Sequence, residues 1–206
     1  MEEKLLWDQG FMNIAGIDEV GRGAFAGPVV VAAVIFSPNY LFRHPLLHEI
    51  NDSKKLTPRK RKELDSLIKE EALCYTIREG SIESINSLGV GKATQSAFLD
   101  ATKLLCHIPD FLLIDAFYIE SVDKSIQKPI IRGDSLSISI AAASIIAKVY
   151  RDELMTSFHV QYPNYDFLEN KGYGTARHRE KLGLYGLSPL HRTSFNLSNF
   201  LTPSVL

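Results

Sequence analysis

The architecture of this chain follows from one continuous segment, Asn13-Ile-Ala-Gly-Ile-Asp-Glu-Val-Gly-Arg-Gly-Ala-Phe-Ala-Gly-Pro-Val-Val-Val-Ala-Ala-Val-Ile-Phe36. Its first part, Asn13 to Glu19, and its second part, Gly27 to Phe36, are largely apolar, and the second is rich in β-branched residues, which predicts two buried strands. A glycine-rich turn lies between them. Because so few residues connect the two runs, we expect an antiparallel hairpin rather than a helical crossover.

Strands and helices alternate along the rest of the sequence. Thr57 before Pro58 has the pattern of an N-cap followed by proline at the first helical position. In chain order we predict a helix over 58–71, a strand over 73–80, helices over 81–87 and 91–107, strands over 111–115 and 127–132, a long helix over 135–160, and a helix within 175–195. This alternation indicates the α/β class. With no internal repeat or linker in the sequence, we expect a single domain over residues 1–206, with about 175–206 as a small C-terminal helical appendage.

The composition is that of an ordinary globular chain. Hydrophobic residues make up 45% of the 206 residues, charged residues 23%, and the net charge is -1, which excludes a mainly disordered chain. No segment has the length of a transmembrane helix or the pattern of a signal peptide, so we expect a cytoplasmic protein without membrane contact. Cys74 and Cys106 are expected to be buried thiols in a reducing compartment.

Four acidic residues stand where predicted strands end or a helix begins. Asp18 and Glu19 end the first strand, Asp115 ends Phe-Leu-Leu-Ile, and Asp134 directly precedes the long helix. If the two strands are neighbours, the four carboxylates converge and raise one another's pKa. Divalent metal ions remove that penalty, and carboxylate oxygens suit Mg²⁺ or Mn²⁺. Such a cluster can hold two ions that activate a water for phosphodiester cleavage.

Each acid also has a simpler interpretation. Asp134 could be an ordinary helix N-cap, Asp115 could turn to solvent, and Asp18-Glu19 could be surface charge. The pattern Gly21-x-Gly23-x-x-Ala26 superficially fits a dinucleotide-binding turn. That turn requires a helix after it, whereas a proline and a β-branched run follow here, so we exclude this interpretation.

Sequence blocks along nearly the whole chain carry a more specific signal. They are Ile17-Asp18-Glu19-Val20-Gly21-Arg22-Gly23 with Ala26-Gly27-Pro28-Val29, Asp52-Ser53-Lys54-Lys55-Leu56, Leu113-Ile114-Asp115, Gly133-Asp134-Ser135, Ala141 to Asp152, Lys171-Gly172-Tyr173-Gly174-Thr175, and His191-Arg192-x-Ser194-Phe195. In content and order these blocks resemble the type 2 ribonucleases H, and bacterial ribonuclease HII in particular. Ala116 stands where the family pattern has glycine.

The resemblance implies a ribonuclease H-like fold, with helices flanking a five-stranded mixed sheet. It implies an endoribonuclease that cleaves RNA in RNA–DNA hybrids and incises 5′ to single ribonucleotides in duplex DNA, leaving 3′-hydroxyl and 5′-phosphate ends. By motif position, the catalytic and metal-binding acids are Asp18, Glu19, Asp115 and Asp134. The implied cofactors are two Mg²⁺ or Mn²⁺ ions.

The resemblance also implies substrate-binding residues. In the family, the turn Gly21-Arg22-Gly23 reads the ribonucleotide, and glycines let backbone groups approach a sugar closely. Tyr173 can stack on the deoxyribose of the next nucleotide; its alternative role is a half-buried structural tyrosine. The candidate phosphate contacts are Lys54, Lys55 and Arg192.

Other functions remain as alternatives. A ribonuclease HIII-like enzyme without junction preference is disfavoured by Arg22, where that group has lysine, and by the short segment before the first strand. A non-catalytic nucleic-acid-binding protein would not need all four acids, and a structure-specific nuclease would not need a 2′-hydroxyl. We expect a monomer. Phe200-Leu201 could dock on the body of the protein or on a partner such as a sliding clamp, but the tail contains no clamp motif.

Overall fold

The computed structural model describes residues 1–38, 49–50 and 56–202. Its five strands form one sheet in the order β3-β2-β1-β4-β5, with the bounds β1 Ile14–Val20, β2 Val29–Ile35, β3 Cys74–Gly80, β4 Phe111–Asp115 and β5 Gln127–Ile130. Strands β1, β2 and β3 pair antiparallel, whereas β1, β4 and β5 pair parallel. The predicted hairpin and the mixed five-stranded sheet are therefore confirmed.

Seven helices accompany the sheet in the described residues: α1 Glu2–Trp7, α2 Pro58–Glu71, α3 Ile82–Leu88, α4 Val90–Lys103, α5 Ile138–Gln161, α6 Phe167–Asn170 and α7 Ala176–Tyr185. The predicted bounds of α2 are confirmed, and the side chain of Thr57 accepts a hydrogen bond from the Lys60 amide as its N-cap. No helix in this part of the chain is both long and apolar enough to cross a membrane. Helix α1 was not predicted.

The two faces of the sheet bury separate apolar clusters. Val30, Ala32 and Val34 of β2 pack with residues of α2 and α5, whereas Val31, Ala33 and Ile35 pack with residues of α4. Because both faces are covered, every residue of β2 is buried, which explains its continuous rather than alternating apolar sequence.

Helix α5 lies directly on the central strand β1. At Gly16, a Cβ atom would overlap the backbone of Ser139 and Ile140, so only glycine allows the helix to approach this closely. The buried carboxylate of Glu3, on α1, accepts hydrogen bonds from the Ser137 hydroxyl at 2.5 Å and the Ser139 amide at 2.9 Å. Together with the close approach at Gly16, these contacts hold the first turn of α5 against β1.

The cysteines depart from the sequence expectation. Cys74 at the start of β3 and Cys106 after α4 form a disulfide, and Cys106 is exposed, so the prediction of two buried thiols was wrong. The Cys106 amide also donates a hydrogen bond to the Cys74 sulfur. Two cysteines 32 residues apart carry no local pattern that marks them as a pair.

Candidate active site

The ends of β1 and β4 bring three carboxylates together. Ile17 pairs with Ile114 in the parallel ladder, so Asp18 and Asp115 follow at the same level of the two strands. Asp18 is 7% exposed and its side chain forms a hydrogen bond with Ser144 of α5. Glu19, the next residue, is half-buried. The two strands are therefore neighbours, as the convergence of these acids requires.

The electrostatics of this cluster disfavour negative charge. Burial, with the nearby Glu19 and Asp115 carboxylates, raises the pKa of Asp18 well above its ordinary value. Burial also raises the pKa of Glu19 to about 7, although Arg22 acts in the opposite direction. Glu19 Oε2 is buried and has no hydrogen-bond partner among the described residues. A cation placed here would satisfy this oxygen and stabilise the charged carboxylates.

Asp134 lies beside the cluster in a 3₁₀ turn over Gly133–Ser135. The Gly133 amide donates a hydrogen bond of 2.8 Å to Asp115 Oδ1, which ties this turn to the end of β4. The N-cap of α5 is Ser137, whose hydroxyl accepts from the Ile140 amide. The interpretation of Asp134 as the helix N-cap is therefore wrong, and the predicted long helix begins three residues later than expected.

Asp18, Glu19 and Asp115 interact with one another, and Asp134 follows Gly133, whose amide binds Asp115, but the four acids do not form a closed coordination shell. In the described residues, no group of three or more His, Cys, Asp or Glu side chains is close enough together to hold a metal ion as the structure stands. Mutual repulsion of carboxylates opposes such grouping, and a divalent cation removes that repulsion. The donor chemistry fits a hard cation such as Mg²⁺ or Mn²⁺, because all four side chains offer oxygen ligands.

The two glycines of the predicted substrate-reading turn have different roles in the structure. Gly21 has a φ of 90°, and a Cβ atom there would overlap the side chain of Arg151. Gly23 is exposed, and a Cβ atom there would meet nothing within 4 Å. Between them, the guanidinium of Arg22 lies 3.6 Å from Glu19 Oε1 and 4.3 Å from the ring centroid of Phe117. Gly21 is thus required by packing, whereas Gly23 leaves an open surface.

Two buried arginines donate to backbone carbonyl groups of this turn and of the segments packed beside it. Arg192 donates from Nη2 to Gly21 O at 2.7 Å, from Nη1 to Arg22 O at 2.7 Å and from Nε to Gly27 O at 2.9 Å. Its side chain is fully buried. The prediction that Arg192 contacts a phosphate is therefore corrected: its donors are directed at the protein backbone, and it supports the turn from within.

Arg151 of α5, which sequence reasoning missed, is the second of these arginines. It donates to Pro28 O at 3.0 Å, Ala26 O at 3.1 Å and Lys171 O at 2.9 Å. The signal that could have identified it is its place four residues after Ala147, on the buried small-residue stripe of α5. An arginine on such a stripe needs buried acceptors.

Tyr173 is held against the glycine turn by the segment around it. The Phe25 amide donates to Gly172 O at 2.8 Å, and a Cβ atom at Gly174 would overlap the Phe25 ring. The half-buried Tyr173 ring has its centroid 5.3 Å from the guanidinium carbon of Arg151. The structure therefore brings Tyr173 to the same surface as the turn. The predicted contacts Lys54 and Lys55 lie outside the described residues.

Ala116 follows Asp115 with a φ of 60°, in the left-handed region that favours glycine. The structure thus explains why glycine is typical of this position. The Phe117 amide donates to Asp115 O across this turn, which carries the Phe117 ring under Arg22. The alanine adopts the turn at a cost of about 1 kcal/mol.

A mixed five-stranded sheet, with carboxylates at the ends of its central strands and a helix packed beside them, defines a ribonuclease H-like nuclease. The chain belongs to the ribonuclease HII family: the family model described as Ribonuclease HII matches residues 15–198. The ribonuclease HII of Clostridioides difficile (strain 630) is 48% identical over 195 residues, which cover 95% of this chain and 74% of that protein. The chain is accordingly an endonuclease, a ribonuclease H that acts on RNA–DNA hybrids.

Two solved structures share the fold. The PCNA:RNase HII complex from Archaeoglobus fulgidus matches with a TM-score of 0.72 and 25% identity over 89% of this chain and 96% of that one. Bst-RNase HIII in complex with Mn²⁺ matches with a TM-score of 0.72 and 20% identity over 92% of this chain and 68% of that one. The predicted ribonuclease H-like fold is confirmed.

Proposed function

We propose that this ribonuclease H incises duplex DNA on the 5′ side of single embedded ribonucleotides, as well as cleaving longer hybrids. One observation carries the proposal: the exposed Gly23 turn, the Tyr173 segment and the buried carboxylates share one surface, and Arg22 contacts Glu19. A sugar read at the turn would therefore lie next to the acids that promote cleavage.

We propose that Asp18, Glu19, Asp115 and Asp134 hold two divalent ions, Mg²⁺ or Mn²⁺. The raised pKa of Asp18 and of Glu19 and the unpartnered Glu19 Oε2 support this assignment, because a cation offsets each of these penalties. The Mn²⁺ complex of the structural relative with the same fold is consistent with it. When bound, two ions supply a nucleophile at neutral pH and charge stabilisation at the leaving oxygen.

The chain's own residues then select and orient the substrate. The backbone around Gly23 is open enough for its amide and carbonyl groups to approach a 2′-hydroxyl, which distinguishes RNA from DNA. The Tyr173 ring, which Arg151 already restrains, would stack on the deoxyribose of the following nucleotide. Deoxyribose lacks the 2′-hydroxyl and is therefore smaller than ribose. All of these residues belong to one chain, and we propose that the protein acts as a monomer.

A sliding-clamp contact is supported less well. The Archaeoglobus fulgidus relative was solved in complex with PCNA. In this chain, Phe200 stacks on Phe25 with ring centroids 5.5 Å apart and lies under Arg179. Phe200 is therefore committed to the body of the protein, and docking on a clamp through this residue would require its release.

The test uses an end-labelled DNA duplex with one ribonucleotide, a matched RNA–DNA hybrid and an all-DNA duplex, each incubated with Mg²⁺, Mn²⁺ or EDTA. We expect incision 5′ to the ribonucleotide only with metal, and no cleavage of the all-DNA duplex. Cleavage of the hybrid alone would contradict the junction preference and favour a ribonuclease HIII-like specificity. Cleavage of all-DNA would instead favour a structure-specific nuclease.

A further inference from the structure

A pair of buried histidines lies next to the active-site surface and has no part in the function described above. His178 of α7 is fully buried, and His191 is 1% exposed. Their Nε2 atoms are 3.0 Å apart, within an apolar cluster that includes Phe167 and Leu182. A direct contact between two imidazoles in such surroundings requires one ring to donate and the other to accept.

The remaining partners of each ring determine which one donates. His178 Nδ1 lies 2.9 Å from the carbonyl oxygen of Tyr173, which can only accept, so His178 is protonated at Nδ1 and its Nε2 accepts. The Ser188 amide donates to His191 Nδ1 at 2.9 Å, so His191 is protonated at Nε2. The hydrogen bonds therefore run in one direction, from Ser188 through His191 and His178 to Tyr173.

Both rings are suited to remain neutral. Burial lowers the pKa of His178, and burial together with His178 lowers the pKa of His191 to about 4. The same two tautomers therefore persist under neutral conditions, which keeps the chain of hydrogen bonds intact.

This chain of hydrogen bonds ends at Tyr173, the residue proposed to stack on the deoxyribose. The Tyr173 carbonyl accepts from His178 Nδ1 and also from the Thr175 amide at 2.8 Å, so two donors define the orientation of its peptide group. At the other end, His191 directly precedes Arg192, which binds the carbonyl groups of Gly21 and Arg22. The histidine pair thus connects Arg192, which binds the glycine turn, to the hydrogen bond that orients Tyr173.

We propose that His178 and His191 are positioning residues that hold Tyr173 in register with the Gly21-Arg22-Gly23 turn and so set the preference for an RNA-to-DNA junction. The inference rests on the proposed role of Tyr173. It assigns to the pair a hydrogen-bonding function that a well-packed apolar side chain cannot replace.

The decisive comparison is His178→Asn against His178→Leu. The asparagine amide can replace the Nδ1 donor to Tyr173 O, whereas leucine fills the apolar space and donates nothing. We expect H178L to lower the ratio of kcat/KM for the single-ribonucleotide duplex to that for a long hybrid by roughly 10- to 100-fold, a typical cost of small misplacement. H178N should retain most of that ratio, and H107Q, at an exposed histidine, should leave it unchanged.

The outcomes separate the two proposals. If Y173A lowers the ratio but H178L retains it at least as well as H178N, the histidines only fill space and this inference is overturned while the role of Tyr173 stands. If Y173A leaves the ratio unchanged, the role of Tyr173 itself fails. Should H178L not fold, ¹⁵N NMR of the wild-type protein still tests the relay: His178 protonated at Nδ1 and His191 at Nε2 support it, and the opposite tautomers overturn it.

Discussion

The guanidinium of Arg192 donates a 2.7 Å hydrogen bond to the carbonyl oxygen of Gly21, across 171 residues of sequence. Two further bonds from the same side chain reach Arg22 and Gly27. A C-terminal residue thereby shapes a turn near the N-terminus, and the shape of that turn determines what can approach Gly23. We therefore propose that stability and substrate selection are coupled through this one side chain.

Replacing Arg192 with lysine tests the contribution of these hydrogen bonds to stability. An ammonium group lacks the planar fork that reaches three carbonyl groups, so we expect R192K to lower the free energy of unfolding by roughly 2–3 kcal/mol. Urea denaturation measures this change. The matched control is R177K, because the exposed Arg177 forms a single ion pair, with Asp166, and its replacement should change stability by less than about 0.5 kcal/mol. Equal effects of the two substitutions would contradict the role of Arg192.

Alanine substitutions at the two turn glycines should affect different properties: stability at Gly21 and substrate binding at Gly23. At Gly21, the positive φ and the overlap with Arg151 predict that G21A loses roughly 2–4 kcal/mol of stability. At Gly23 there is open space, so the free energy of unfolding of G23A should lie within about 0.5 kcal/mol of the wild-type value. The same substitution should raise KM for ribonucleotide-containing DNA. Thermal unfolding and steady-state kinetics on both variants give the comparison. A G23A enzyme with unaltered KM would show that substrate does not approach this residue.

Asp18→Asn separates catalysis from stability. Because burial and neighbouring acids raise the pKa of Asp18, its charged form is unfavourable without a cation, and a neutral amide relieves that cost. We expect D18N to be at least as stable as wild type in EDTA at pH 8. Its cleavage rate with Mg²⁺ should fall by roughly three orders of magnitude, about 4 kcal/mol in the barrier. Turnover close to wild type would remove Asp18 from the catalytic assignment.

Metal affinity should depend on pH through Glu19. Its pKa is raised from 4.5 to about 7, so below pH 7 a cation must displace a proton, and the apparent affinity should fall by up to about tenfold per pH unit. Calorimetric titration with Mn²⁺ between pH 6 and 8, in buffers of different ionisation enthalpy, measures the affinity and the released protons.

Two variants calibrate this titration. E19Q should weaken the pH dependence, and Asp18, whose pKa is also raised, contributes what remains. E180Q, at an exposed glutamate on α7, should leave the pH dependence unchanged. A pH-independent affinity in wild type would exclude Glu19 from the metal ligands.

The raised pKa of Glu19 also has a consequence for the protein without added metal. The contribution of Glu19 to stability is fully present below pH 4.5 and is lost as the pH rises through 7.

Much of the fold was predictable because its signals are local. The β-branched run of β2, the Thr57-Pro58 cap of α2 and the apolar strand ending in Asp115 each depend on neighbours within a few residues. The same locality produced the errors. Asp134 has the sequence appearance of an N-cap, but Ser137 three residues later takes that role because residues 133–135 form a 3₁₀ turn.

The sequence by itself therefore determined the five strands, the helices other than α1 and α6, and the acids at the strand ends. Only the tertiary structure decided which distant groups meet: the Cys74–Cys106 disulfide, the inward direction of Arg192, and the contact between His178 and His191. The physical reason is that propensity, capping and periodicity act over a few residues. A buried hydrogen bond, by contrast, depends on where the whole chain places its donor and its acceptor.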